Sequence, residues 1–570
     1  MEQPTESDII PTQKDDTITS SPDMPASGTQ EKKEEDADLG RAKVNQTDSP
    51  PAATASTERD EQYHAQGLKL FLILSSLILS VFCQALDDTI IATAIPRITD
   101  EFRRLDDVGW YGSAYLLTNA SFQLFYGKLY QILPVRLVFL GALLLFEIGS
   151  LIAGVAPTSA VLIVGRAIAG TGAAGITSGA LNIIAHVTRV QQRPLFVSLI
   201  GVIYGVASAI GPILGGALAE KVTWRWNFYI NLPLGAVAAV LLLAVLRRLP
   251  PSAQGHRLPF RTVVVRLDPV GTFTLIPSIT SLLIALQWGN TVYPWSDGRI
   301  IALLTVFALL LVIFIVAQVV QDDKNATIPK HIMRIPEVSF GAFFAFFQGS
   351  AFNLFIFTIP LYFQAIKNVT PIASGVDYLP LILGNAVFIF VAGSLASRIG
   401  SPVPWLWSSS ILMSIGAGLL TLLRPDTDTG RWVGFQLLFA IGSGLGFQQP
   451  FVITQTVLAI EDIGPGTGIM QLANLGGAAI FVSVALSVFA ERLVAGVDAL
   501  GLDGIDTRSI IQLGATELRQ IVPPEYVDQV VSVYNAALVQ AYQVGLILSA
   551  ISIIGPVGIT MISIRNKRKH

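Results

Sequence analysis

Cysteine and histidine are almost absent from this sequence of 570 residues, which has one Cys and five His. The single thiol, Cys83, excludes an internal disulfide framework and a cysteine-based metal site. The pattern G-x-x-x-x-G-K-[S/T] is also missing, so the chain has no such loop for binding a nucleotide. No cluster of His, Cys or carboxylates has the spacing of a catalytic or metal centre. We therefore expect no enzymatic activity, no metal and no cofactor.

Charge is scarce as well. Asp, Glu, Lys and Arg make up 14% of the residues, whereas about 25% is usual in soluble domains. Hydrophobic residues make up 52%, and the mean hydropathy is +0.59. The net charge of −3 does not indicate binding to nucleic acid. This composition predicts an all-α polytopic membrane protein.

Apolar segments of membrane-spanning length predict fourteen transmembrane helices. Their approximate positions are 68–95, 108–130, 135–156, 160–185, 195–219, 227–246, 268–288, 299–320, 338–363, 376–397, 405–423, 431–456, 467–490 and 538–563. Residues 1–66 are rich in Glu, Lys, Ser and Pro, which predicts a disordered tail. Because no apolar core follows a basic start, this tail does not read as a signal peptide.

Lys and Arg are concentrated in alternate loops, which predicts cytosolic termini and an even number of helices. Two similar loops, 127–136 and 393–400, lie at matching places in the chain and indicate two six-helix halves. The predicted organisation is a cytosolic tail at 1–66, an N-terminal half at 67–247, a loop with inserted helices seven and eight at 248–335, a C-terminal half at 336–563 with an external loop at 493–537, and a basic cytosolic tail at 564–570.

The predicted fifth helix carries glycines at four-residue spacing. Gly201 and Gly205 share one helix face, as do Gly211 and Gly215, and small residues let a neighbouring helix approach closely in lipid. Ordinary packing is the simpler interpretation of one such pair, but the ending G-P-x-x-G-G is more specific. The residues of this motif are Gly205, Gly211, Pro212, Gly215 and Gly216.

Five stretches in order resemble motifs of one transporter family. The ending of the fifth helix resembles the antiporter motif of the fourteen-helix drug:proton antiporters of the major facilitator superfamily. L-D-D-T-I-I-A-T-A-I-P resembles their first-helix motif, G-R-A-I-A-G-T-G-A-A-G their fourth, and W-R-W-N-F-Y-I-N-L-P the entry into their sixth. The loop with Gly127, Lys128 and Arg136 is similar to the gating signature of the superfamily. F-E-I-G-S and L-Y-F-Q-A-I-K resemble the fungal toxin-efflux and multidrug-efflux members.

The resemblance implies a proton-coupled secondary transporter that exports small hydrophobic compounds, such as drugs, toxins or secondary metabolites. We expect a monomer in the plasma membrane, with both termini in the cytosol as the basic loops indicate, and the vacuolar membrane is the alternative. An importer or siderophore carrier on the same fold is a second hypothesis, because fold does not settle function. A non-transporting receptor or a membrane enzyme is a third.

The gating signature departs from the family pattern. Gln131 stands where the family usually has an acid, and Ser397 occupies that position in the second copy. A salt bridge that latches the cytosolic gate through this acid is therefore not expected. Ala169 replaces a frequent Gln in the fourth-helix motif, so no polar contact is expected there.

Three charged residues lie inside predicted helices, where an ionisable group is costly unless it faces a cavity or a charged neighbour. Asp87, Glu147 and Arg166 lie roughly 9–14 Å below the outer surface, at 1.5 Å per residue. Their similar depth favours mutual pairing and a role in proton coupling, the alternative being a structural ion pair. Asp88 is expected to be solvated.

Several uncharged polar residues in the helices are candidates for the substrate path, although hydrogen bonding between helices is the commoner role. They are Gln123, Asn182, Gln348, Asn353 and Gln364. Asn368 begins an N-x-T sequon in a predicted external loop and is a glycosylation candidate. His331 and His186 stand alone near loops, and Asp462 is expected to be a solvated helix cap.

Overall fold

The computed structural model describes residues 65–104, 107–245, 259–289, 293–501 and 522–567, and these are helical without a β-strand. The predicted disordered tail, apart from its last two residues, lies outside this part. The first half contains α1 (Leu68–Ile90), α2 (Ile95–Phe102), α3 (Val108–Ser121), α4 (Gln123–Ile132), α5 (Val135–Gly154), α6 (Ser159–Val187), α7 (Arg193–Lys221), α8 (Trp226–Tyr229) and α9 (Asn231–Val245).

The rest of the chain forms an inserted pair and a second half. The inserted region contains α10 (Phe260–Arg266), α11 (Pro269–Trp288), α12 (Gly298–Val320) and α13 (Lys330–Met333). The second half contains α14 (Pro336–Leu361), α15 (Pro371–Asp377), α16 (Leu379–Ile399), α17 (Val403–Leu420), α18 (Thr429–Phe447), α19 (Gln449–Val457), α20 (Ile463–Asp498), α21 (Val527–Ile551) and α22 (Ile554–Lys567).

Thirteen described helical spans are long and apolar enough to cross a membrane. The predicted second helix is not among them because it is interrupted at Phe122, which leaves α3 with 14 residues and α4 with 10. A bilayer requires about 20 residues, so neither piece spans it alone. Taken together, α3 and α4 cover the position of the predicted second helix, and fourteen helices stay a prediction that fits this arrangement.

The predicted external loop at 493–537 is partly helical. α20 continues to Asp498 and α21 begins at Val527. The two helices keep packing there, since the rings of Phe489 and Tyr534 lie 5.0 Å apart. Both helices are therefore longer than the sequence predicts, and apolar side chains of the two helices contact each other.

The two halves meet where α4 packs against α20 and α7 packs against α16. Within the first half α5 packs on α6 and α1 on α7, and within the second α14 packs on α20 and α17 on α18. The inserted helices α11 and α12 pack mainly on each other. α12 leaves long aliphatic side chains exposed, for example Leu309 at 60% and Val319 at 65%, as expected of a helix that faces lipid.

One end of the bundle is closed. We call it the basic end, defined by residues 127–136, 188–193, 321–335, 397–402 and 458–464. There Gly127 and Gly464 approach so closely that a Cβ on Gly127 would lie 2.8 Å from the Gly464 carbonyl oxygen. Ser397 Oγ donates to the Gln191 carbonyl at 2.7 Å. Contacts from both halves therefore seal this end.

Candidate functional site

A buried ion pair joins α1 to α6. Arg166 Nη1 donates to Asp87 Oδ2, and neither side chain has exposed surface. Arg166 Nε donates to the Tyr111 carbonyl at 2.8 Å, and its guanidinium lies 4.4 Å from the ring centre of Tyr115. Each of these contacts compensates a charge that would otherwise be costly inside a membrane protein. Two of the three residues singled out from the sequence thus form one ionic site.

Asn231 completes this site, and sequence reasoning missed it. Its Nδ2 donates to Asp87 Oδ1 at 2.9 Å and to Ser150 Oγ at 3.2 Å. Asn231 begins α9 and Ser150 lies in α5, so four helices of the first half meet at Asp87. Asn231 lies within W-R-W-N-F-Y-I-N-L-P and is fully buried in the structure, but the sequence alone carries no signal of its contact with Asp87.

Glu147 does not join the ion pair, so the expected mutual pairing of all three charges is wrong for this residue. Both of its carboxylate oxygens are buried and have no hydrogen-bond donor in the described part of the chain. Its carboxylate packs on α9, where a Cβ on Gly235 would lie 1.7 Å from Glu147 Oε1. The reason is the position of the side chain around the helix axis. Gly149 contacts α6, and residue 147 lies about 200° around α5 from Gly149, so Glu147 points away from α6 and Arg166.

Asp88 is also less solvated than the sequence suggested. It is half-buried, and Tyr204 of α7 donates its hydroxyl proton to Asp88 Oδ2 at 2.7 Å. The adjacent carboxylates of α1 therefore face different helices. Asp87 contacts α6 and α9, whereas Asp88 contacts α7.

The motif glycines of α7 lie on two faces. A Cβ on Gly211 would lie 2.1 Å from Thr89 Oγ1, and one on Gly215 would lie 2.3 Å from the Ile90 carbonyl oxygen. These two glycines therefore bring α7 against α1. Gly205 faces the second half, where a Cβ would lie 3.0 Å from Ala386 Cβ. α7 thus contacts α1 with one stretch and α16 with another.

Two of the predicted substrate-path residues lie in buried amide clusters, one in each half. Gln123 Nε2 donates to Asn119 Oδ1 at 2.8 Å, and its Oε1 accepts from Ser178 Oγ at 3.2 Å. Gln348 Nε2 donates to Ser443 Oγ at 3.0 Å. Hydrogen bonding between helices satisfies both side chains in this conformation.

The other three substrate-path candidates lie elsewhere. Asn182 and Asn353 each donate to a carbonyl one turn earlier in their own helices, those of Ser178 and Gly349, at 2.9 Å in both cases. Gln364 is in a short π-helix, Tyr362–Ile366, at the opposite end from the basic end, and donates to Ser374 Oγ at 3.4 Å. These contacts are local, so they provide no link across the halves.

The gating loop contacts the inserted region. Lys128 is buried, and its Nζ donates to the carbonyls of Lys324 and Ala326 at 3.0 and 2.9 Å. Gln131 Nε2 donates to Asp462 Oδ1 at 3.0 Å. Residue 131 therefore links the two halves through an amide. Arg136 is half-buried at the start of α5.

Two smaller expectations are also corrected at the basic end. Asp462 is not a merely solvated cap, since it accepts the hydrogen bond from Gln131. His331 is not isolated, because its ring nitrogens contact Asp323 and Asp462. Asn368 is exposed, with a left-handed φ of 55°. In the described residues no group of three His, Cys, Asp or Glu is arranged to hold a metal ion.

Comparison with known proteins places the chain in a family. The family model described as Major Facilitator Superfamily matches residues 77–482. The chain belongs to this superfamily. It is 49% identical over 505 residues to "Efflux pump aflT" of Aspergillus parasiticus, which covers 89% of this chain and 98% of that protein. It is 44% identical over 493 residues to "Efflux pump roqT" of Penicillium rubens, which covers 86% and 91%.

Solved structures of the major facilitator superfamily share the fold. The human organic anion transporter MFSD10 matches with a TM-score of 0.52 at 15% identity, over 85% of this chain and 100% of that one. At this identity the likeness concerns the fold alone. It agrees with the helical membrane architecture expected from the sequence.

Proposed function

We propose that this chain is a secondary transporter that exports small hydrophobic compounds in exchange for protons, and that Asp87 carries the proton. The observation that carries this proposal is the buried contact of Asp87 with Arg166 and Asn231. A carboxylate that is ionised beside a cation can take up a proton when the pairing loosens. Because α1, α5, α6 and α9 all contribute to the site, movement of these helices would alter that pairing.

The names of the relatives support the direction of transport. Both are called efflux pumps, and they align with this chain over most of their lengths. An importer or siderophore carrier is the second candidate, and a non-transporting receptor or an enzyme has no specific support. We further propose a monomer in the plasma membrane, with the basic end and both termini in the cytosol. The vacuolar membrane is the alternative location. Asn368 is the proposed glycosylation site.

Gln123 and Gln348 are the residues that we propose for the substrate path. They lie in opposite halves, and each is held by hydrogen bonds that a polar group of a substrate can replace without leaving the amide unsatisfied. Major facilitator transporters carry the site between such halves. Glu147 is a second candidate for proton uptake because an unpaired carboxylate inside a membrane protein is costly when ionised.

The test compares two modes of transport in proteoliposomes, with fluorescent hydrophobic dyes as probes. Asp87→Asn keeps the shape of the side chain but removes its titration. We expect dye counterflow to persist while a pH gradient no longer drives accumulation. Asp88→Asn is the matched control on the neighbouring residue and should keep gradient-driven transport.

The outcomes separate coupling from scaffolding. If Asp87→Asn keeps gradient-driven transport, the proton site lies elsewhere, and Glu147→Gln becomes the next variant to measure. If Asp87→Asn loses counterflow as well, the ion pair is structural or binds substrate. Wild-type protein that shows no counterflow with any dye would contradict export of hydrophobic compounds.

A further inference from the structure

His331 lies between two carboxylates at the basic end. Its Nδ1 is 3.3 Å from Asp323 Oδ2, and its Nε2 is 2.9 Å from Asp462 Oδ2. A neutral imidazole has one N–H, whereas the imidazolium ion has two. Carboxylate oxygens only accept, so a ring that donates to both acids at once must be protonated. The geometry therefore fits the charged form of His331.

The two acids belong to different parts of the transporter. Asp323 lies in segment 321–329, which follows α12 of the inserted pair, whereas Asp462 directly precedes α20 of the second half. Gln131, at the end of α4 in the first half, donates to the other oxygen of Asp462. His331 therefore lies where the inserted pair, the first half and the second half converge.

Segment 321–329 is itself fixed to the first half and to the inserted pair. Lys128 donates to two of its carbonyls, as described above. Asp268, which precedes α11, accepts from Thr327 N at 3.1 Å and Thr327 Oγ1 at 2.8 Å. It also accepts from Gln318 and Gln321 at 2.6 and 2.9 Å. These contacts hold Asp323 in place so that His331 can bind it.

Asp323 and the nearby Asp268 favour the ionised form. Burial acts to raise the pKa of Asp323, but hydrogen bonds from the backbone amides of Lys330 and His331 outweigh it and lower that pKa. The pKa of Asp268 is lowered likewise, since donors led by Gln318 outweigh its burial. Asp323 is therefore available as an anion to an imidazolium ring.

We propose that His331 is a proton-binding site that holds the basic end closed. The imidazolium bridges Asp323 and Asp462, and thereby ties the inserted pair to the second half. Imidazole changes charge between about pH 5 and 8. The bridge needs the protonated ring, so acid favours the closed end and a rise in pH weakens the bridge.

The other charged groups near His331 do not replace it in this role. In α13, the helix that contains His331, the adjacent charged residue is Lys330, whose Nζ donates to the Gln321 carbonyl at 2.9 Å. From α4 it is Lys128, which is bound to carbonyls. Beside Asp462 lies Glu461, an exposed carboxylate. Lys330 and Lys128 are thus each bound to backbone carbonyls, whereas His331 faces the two carboxylates.

The test measures closure directly and needs no substrate, so its result is independent of the proposed export. The full chain carries Cys83→Ser together with spin labels at Arg189→Cys and Ile399→Cys. These exposed residues belong to opposite halves and flank the contact of Gln191 with Ser397. Pulsed electron spin resonance in lipid nanodiscs then gives the label-to-label distance distribution at about pH 5.5 and about pH 8.

We expect the ratio of short to long distances to fall by about two- to fivefold between the two pH values, the range for partly exposed ion pairs. His331→Gln should abolish this change. His186→Gln is the matched control, because His186 lies in α6 with its Nδ1 2.8 Å from the Asn182 carbonyl oxygen, and it should keep the change.

Asp462→Asn provides a second variant, since it keeps the fold of the turn but removes the anion that faces His331 Nε2. It should lower the short-distance population at acidic pH by a similar factor. A pH-independent wild-type distribution would overturn the proposal, as would a pH response that survives both His331→Gln and Asp462→Asn.

Discussion

Gly215 and Gly216 are adjacent in α7, yet the structure predicts opposite effects for the same substitution. A Cβ on Gly215 would lie 2.3 Å from the Ile90 carbonyl oxygen and 2.8 Å from Thr93 Oγ1. A Cβ on Gly216 would have its nearest neighbour, Thr93 Cβ, at 3.8 Å. The first contact forces a backbone to move, whereas the second is ordinary van der Waals contact.

These distances determine how much each Gly→Ala substitution should change the stability of the protein. Replacing Gly by Ala in a helix gains up to about 1 kcal/mol from helix propensity, and overpacking a close contact costs about 1–3 kcal/mol. Gly216→Ala should therefore be neutral or slightly stabilising. The free energy of unfolding of Gly215→Ala should be about 1–3 kcal/mol lower than that of Gly216→Ala. Both variants share the gain in helix propensity, but only the new Cβ at residue 215 meets a backbone atom.

The reactivity of Cys83 can be used to measure the thermal unfolding of these variants. This single thiol is fully buried in α1, two turns before Ile90, so a thiol-reactive fluorogenic dye in detergent reports when α1 separates from its neighbours on heating. We expect Gly215→Ala to react at a lower temperature than wild type, and Gly216→Ala at the same temperature or higher. Equal melting of the two variants would refute the reasoning that α7 and α1 touch at Gly215.

Three further predictions follow from other contacts. Asp268→Asn should lower the free energy of unfolding by about 1–3 kcal/mol at neutral pH, because hydrogen bonds to a charge are lost. In urea titrations this difference should begin to shrink below about pH 4 and vanish only when the pH falls below the lowered pKa of the folded carboxyl. Gly235→Ala should destabilise by displacing Glu147, and the double variant with Glu147→Ala should melt higher than Gly235→Ala alone. Tags on both termini should be accessible only after cells are permeabilised, whereas a tag near Asp503 should be labelled on intact cells.

The ion pair could be predicted from sequence because charge inside an apolar helix is conspicuous. Asp87 and Arg166 each interrupt a run of apolar residues, and their depths match. Glu147 meets the same criteria, yet it packs on α9. Depth along a helix follows from residue counting, whereas the direction of a side chain around the axis depends on which neighbour each face meets. Counting therefore could not separate Glu147 from the pair.

Asn231 and His331 were beyond prediction for a different reason. Their contacts join residues far apart in sequence: Asn231 is 144 residues from Asp87, and His331 is 131 residues from Asp462. A neutral amide at a helix start and a single histidine in a loop have no periodic pattern that marks them. Only packing of the helices brings these side chains to the charges that they contact.

The inserted pair, α11 and α12, makes its polar contacts with the rest of the transporter at the basic end. In the membrane, α12 packs mainly on α11 and leaves its aliphatic side chains exposed, so other apolar residues could replace them with little change in packing. At its end, Gln318 and Gln321 bind Asp268 and thereby fix segment 321–329. That segment contacts Lys128 on one side and presents Asp323 to His331 on the other. Through Lys128 on the first half, and through His331 and Asp462 towards the second half, the inserted pair thus connects the two halves at the basic end.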